Sequence, residues 1–158
     1  MRWYKFSIVL AVGLLSELII AALSCALIKE NGVWLSHLLL PTFAPRSFVV
    51  YGVLMETSYL FSALSLACYV KSKSDVPKGL MLLAAEGIAD VLTLLFFFRF
   101  TYEITSFFFA TATMLVSIIV TSLHLKQSDV AGIVRLPVLS VHVYFWSVLY
   151  CILMINFT

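Results

Sequence analysis

The stretch from Gly79 to Phe98, GLMLLAAEGIADVLTLLFFF, is apolar throughout apart from Glu86, Asp90 and Thr93. A helix of this length, rising about 1.5 Å per residue, matches the roughly 30 Å hydrocarbon core of a bilayer. Its two acids stand four residues apart, so both project from one helix face, and Thr93 and Phe97 continue that stripe. Two carboxyls so close cannot both stay charged in a dry site. The pair therefore shares a proton or meets a cation, with Arg135, His142 or a bound ligand as the candidates.

Four further apolar runs have the same character: Phe6 to Ile28, Phe48 to Val70, Ile104 to Leu125 and Ala131 to Ile155. The whole chain agrees with them. Its 158 residues are 63% hydrophobic and 11% charged, against about 45–50% and about a quarter in ordinary soluble domains. The runs are continuous, without the alternation of a membrane β-barrel, so each must satisfy its backbone as a helix. The expected fold is an all-α membrane protein, one domain over residues 1–158, built as a five-transmembrane-helix bundle with a long first loop. That loop, Lys29 to Ser47, holds Trp34, His37, Pro41 and Pro45. A secretory reading of the first run, with Arg2 and Lys5 ahead of it and Ala22-Leu23-Ser24-Cys25 as a processing site, conflicts with its length and with Glu17 in its middle.

Ten Lys and Arg face eight Asp and Glu, a net charge of +2 too small and scattered to attract nucleic acid. Alternating spans put Arg2, Lys5, Lys71, Lys73, Lys78, Lys126 and Arg135 on one side and Lys29, Arg46 and Arg99 on the other. The positive-inside rule then predicts a cytoplasmic N-terminus and an outward C-terminus. Cys25, Cys68 and Cys151 show no metal or redox spacing and read as packing residues.

Glu17, Glu56, Glu86, Asp90 and His142 are embedded in these apolar runs. Ionisable groups there are costly and face the bundle interior or a wet cavity. Counted from the outward end of each span, all five lie roughly 12–20 Å deep, a shared layer near the midplane. The expectation is a polar floor of Glu86 and Asp90, with Glu56 and His142 opposite. His124 reads as interfacial and His37 as a loop residue. No nucleophile–base pair, phosphate loop or metal spacing is visible in the sequence, so no enzymatic activity is expected.

The segment Trp34-x3-Leu38-x2-Pro41-x-Phe43-x-Pro45-x2-Phe48-x3-Gly52-x6-Tyr59 resembles the first-loop and second-helix signature of the TspO/MBR family, the tryptophan-rich sensory or translocator proteins. Glu86-x3-Asp90 with Phe97-Phe98 falls where that family usually carries Gln-x3-Asn and a Phe pair, and Ala131-Gly132-x4-Pro137 and Ile155-Asn156 resemble its fifth helix. The likeness covers about four of the five spans. It implies a pocket inside each monomer capped by the first loop, a fold that is often dimeric, and porphyrins, sterols or synthetic hydrophobes as ligands. The chain departs from the pattern at Phe43, Met55, Thr93 and Val141, where the family commonly has Trp, at Leu149 in place of a fifth-helix Asn, at Arg46 in place of a proline, and at Leu40 in place of a frequent lysine. These changes weaken the aromatic walls on which a flat macrocycle would stack.

The expected function is thus an integral-membrane receptor or carrier for a small hydrophobic ligand: a tetrapyrrole, a sterol-like molecule or a cationic amphiphile. A porphyrin or haem-type molecule would be such a ligand; no cofactor is expected. The expected binding set is Trp34, Phe43, Phe48, Met55, Glu56, Tyr59, Glu86, Asp90, Thr93, Val141, His142 and Phe145. The acids among them repel an anionic ligand and favour a neutral or cationic one. The alternatives are a proton-coupled multidrug-type transporter using intramembrane acids such as Glu17, and a porphyrin-modifying enzyme. The bilayer and the hydrophobic ligand are the expected partners, with a homodimer as the implied assembly.

Overall fold

The computed structural model describes residues 2–30, 37–72 and 76–157. Trp34, expected in the loop over the pocket, lies outside them. The chain forms α1 (Arg2–Glu30), α2 (Phe48–Lys71), α3 (Val76–Leu94), α4 (Glu103–Gln127) and α5 (Asp129–Phe157). Each contains a segment long and apolar enough to cross a bilayer, giving five such helices among the described residues. The protein is an all-α bundle with the architecture of a multi-pass membrane protein.

The closest helix pairs are α1 with α2, α2 with α5, α5 with α4 and α4 with α3, while α3 touches α1 only lightly. The helices therefore run α1–α2–α5–α4–α3 around the bundle, and the ring closes at a loose seam between α3 and α1. The α5 seam explains the tightness elsewhere. Its buried positions Arg135, Val138, His142, Phe145, Leu149 and Ile152 step alternately by three and four residues, the spacing of a coiled-coil stripe. On α4 the buried face is mostly small and polar, Ser106, Ala110, Thr113, Ser117, Thr121 and His124. Such side chains let membrane helices approach closely. At Gly132 the approach is so near that a Cβ would meet the Leu125 side chain and lie 2.8 Å from its Cα.

Two apolar clusters lie on either side of a polar layer. One holds Tyr51, Met55, Tyr59, Leu94, Phe97, Phe98, Phe145 and Leu149; the other holds Leu66, Tyr69, Val70 and Ala131. The far end of α3 widens into a π-helical turn, Leu95–Arg99, and Thr101 at φ 54° swings the chain into α4. Near the opposite end, Lys71 Nζ sits 3.6 Å above the Trp3 ring, a cation–π contact that holds the start of α1 to the end of α2.

Residues of the first loop lie against α5. The Asn156 side chain donates to Leu39 O and accepts from Leu39 N, each over 3.0 Å, as a neighbouring backbone strand would. Tyr144 donates its hydroxyl to Phe43 O over 3.1 Å. Pro41 and Ala44 are buried, and Leu38 and Leu40 pack on the larger apolar cluster.

Candidate functional site

Between the two clusters, α1, α2, α3 and α5 bring five ionisable side chains into one layer: Glu17, Glu86, Asp90, Arg135 and His142, none more than 4% exposed. Arg135 forms the centre. Its guanidinium donates through Nη2 to Glu86 Oε2 and through Nη1 to Ser62 Oγ, the latter over 2.6 Å. His142 stands between the two acids of α3, with Nδ1 3.2 Å from Glu86 Oε1 and Nε2 3.2 Å from Asp90 Oδ2. These are ion-pair distances, but the ring is out of line for hydrogen bonds to either carboxyl. A lone charged residue at the centre of a membrane helix costs about 2.5–3.5 kcal/mol on insertion scales, so mutual pairing is what makes the layer tolerable.

The i, i+4 spacing of Glu86 and Asp90 thus does what the sequence suggested. It aims both acids at Arg135 and His142, which α5 presents seven residues apart on its buried stripe. One sequence reading is corrected here. Arg135 is fully buried and is no cytoplasmic cation, because the first two turns of α5 already lie against α2 and α4, Ala131 beside Leu66, Tyr69 and Val70 and Gly132 against Leu125. The charge asymmetry narrows from seven against three to six against three.

Glu17 completes the layer from α1, facing Ser62. Among the described residues it has no cation at ion-pair distance. Glu17, Tyr59, Ser62, Glu86, Asp90 and His142 border a void of about 10 Å³, close to the smallest space that holds one water. A second void of about 10 Å³ lies next to it, between Met55, Asp90, Thr93, Thr113, His142 and Phe145.

Among the described residues, two larger spaces lie on the flanks of α1. One groove of about 610 Å³ runs along the seam between α1 and α3, over Ser16, Glu17, Ile20, Ala84, Gly87 and Val91. Another of about 630 Å³ runs between α1 and α2, over Leu14, Glu17, Ala21, Cys25, Glu56 and Tyr59. Both are overwhelmingly apolar, and Glu17 lines both.

Seven of the expected binding residues meet in the interior: Met55, Tyr59, Glu86, Asp90, Thr93, His142 and Phe145 are all buried. Val141 packs at the edge of the same core. Phe43 is exposed, its ring edge-on to Tyr144, and the backbone of Phe48 opens α2. Glu56 does not join the floor. It is exposed on the outer side of α2, where it accepts a hydrogen bond from Cys25 Sγ over 3.3 Å.

His124 is also placed differently from the interfacial position expected. It is buried, stacked on Tyr69 at 4.5 Å between ring centres, with Nδ1 2.6 Å from Ser65 Oγ. Ser65 gives its own hydrogen to Ala131 O over 2.7 Å, so His124 Nδ1 is the donor in that pair and, among the described residues, Nε2 is left a buried acceptor without a partner. His37 lies on an exposed turn.

One participant was missed from sequence, Ser62, while Arg135 was named as a candidate partner of the acids and yet also counted among the cytoplasmic cations. A signal for Ser62 existed, since Ser58, Ser62 and Ser65 form a polar stripe at helical spacing on α2. In comparisons with known proteins, no family model matches this chain, and no curated protein matches it.

Proposed function

We propose that this chain is a membrane-embedded receptor or carrier for small hydrophobic cations, which reach it sideways from the bilayer along α1. The observation that carries this is Glu17, a buried acid with no cation beside it among the described residues, lining two apolar grooves at once. Grooves of about 610 and 630 Å³ fall within the roughly 300–1,000 Å³ typical of ligand sites. Apolar walls accept a hydrophobic body, and a carboxyl in a low-dielectric setting selects a positive charge over a negative one. Glu56, on the outer rim of the α1–α2 groove, adds to that selection.

The site lies outside the interior space that the first loop would cap. Among the described residues, the two voids beside the polar layer are of one-water size, so a ligand in either would have to part α2, α3 and α5 against the Arg135 network. The grooves need no such opening. We further read the chain as a divergent TspO/MBR member with a cytoplasmic N-terminus. The motif order, the loop held to α5 by Asn156, and the six-to-three cation split support this.

The test compares two probes of like shape and opposite charge, tetraphenylphosphonium and tetraphenylborate, on the purified protein in lipid nanodiscs. A ligand that binds only the folded state raises its melting temperature with concentration. The cation should do so and the anion should not. Equal shifts from both would reflect partition into lipid and would remove this reading.

A further inference from the structure

The polar layer can be treated as a charge count. Three carboxyls, Glu17, Glu86 and Asp90, face one guanidinium, Arg135, and one imidazole, His142, all buried. The guanidinium keeps its charge in any protein setting. Among the described residues, no other charged side chain borders the void. From α2 the neighbours are Tyr59 and Ser62, and from α4 His124 is near enough to interact electrostatically with Arg135 and Glu86. Glu56 faces away from the void, into the outer groove.

A buried layer remote from water is stable when its charges cancel. With Arg135 charged, cancellation requires two protons among the three carboxyls and the imidazole. His142 lies between Glu86 and Asp90 with one nitrogen 3.2 Å from each, and as an imidazolium its charge serves both carboxylates. That places one proton. The other belongs to Glu17, which has no cation at ion-pair distance among the described residues and is the one acid of the layer that lines both grooves.

We propose that a hydrophobic cation bound along α1 replaces this proton, so that each binding event releases one proton to the medium. The Glu17 O–H bond breaks, its electron pair stays on the carboxylate, and the proton passes to bulk water. The cation then supplies the positive charge that cancels the layer, with no covalent bond formed. This rests on the cation-binding reading above and adds to it the exchange stoichiometry and the residue responsible.

The experiment is a titration of the nanodisc-embedded protein with tetraphenylphosphonium, a cation with no titratable group, in weak buffer containing a pH indicator. About one proton should appear per cation bound, and affinity should fall by up to about tenfold for each unit by which pH is lowered. Cation binding without proton release, and with the same affinity across that range, would overturn the exchange while leaving the site intact. Failure of the cation to bind at all would instead overturn the site itself. Glu17→Gln, which keeps the volume, should release no proton. Glu17→Asp, which keeps a carboxyl, should still release one. Undiminished release from a folded Glu17→Gln protein would overturn the assignment to Glu17.

Discussion

Helices α1 and α2 each carry a glutamate in mid-span, yet they are buried to opposite degrees. The best apolar window of α1 has a mean hydropathy of 2.4 and is 17% buried; that of α2 has 1.4 and is 56% buried. In water the more apolar helix would be the more deeply packed. In a bilayer, lipid tails solvate apolar side chains as well as protein does, so the helix with more serines and tyrosines goes inside and the greasier one faces lipid. The molecule is divided accordingly. Its α2–α5–α4–α3 side is closed around an ion network, and its α1 side is left with grooves.

The largest expected effect strikes the closed side. Arg135→Met removes the cation from Glu86 and leaves buried acids without compensation, which should cost about 3–5 kcal/mol of stability. Denaturant unfolding of the detergent-solubilised protein measures this. A loss no greater than that of an average surface change would show that the network does not hold the bundle.

Two glycines set the sides directly against each other. Gly132→Ala drives a Cβ into Leu125, whose own backbone is in the way, and overpacking of that kind costs about 1–3 kcal/mol. Gly13→Ala, on α1, meets Ala63 at an ordinary 3.4 Å, and the removal of backbone freedom should make it neutral or stabilising by up to about 1 kcal/mol. Comparable losses at the two positions would mean that α1 is packed as tightly as the rest. A smaller change is expected at the loop. Asn156→Ala removes two hydrogen bonds to Leu39, with a net cost of about 1–2 kcal/mol. Amide exchange should quicken over residues 38–44 and stay unchanged in α1.

The sequence disclosed the fold because five long apolar runs admit one backbone solution in lipid. It also disclosed depth, since counting residues along a helix places Glu17, Glu86, Asp90 and His142 in one layer, where they are found together. Direction around the helix axis was less legible. Glu56 shares the depth but, two residues from Ser58, points about 160° away from the buried serine face. Only packing decides which face of α2 turns inward, and the serine stripe carried that information more faithfully than the charge did. Arg135 was misplaced for a related reason. A cation near the end of a span can extend to water or turn into the bundle, and the choice is made by the acids opposite, which lie on another helix.

The proposed function assigns ligand recognition to the open α1 side and not to the space behind the first loop. The most direct test is to measure tetraphenylphosphonium affinity for the parent protein, Glu17→Gln and Thr93→Val in nanodiscs. Thr93 is uncharged and borders an interior void and neither groove. At least about a tenfold loss is expected for Glu17→Gln, equivalent to about 1.4 kcal/mol, and a change of less than about threefold for Thr93→Val. Loss of binding on Thr93→Val, with Glu17→Gln retaining the parent's affinity, would contradict this and place the ligand inside the bundle.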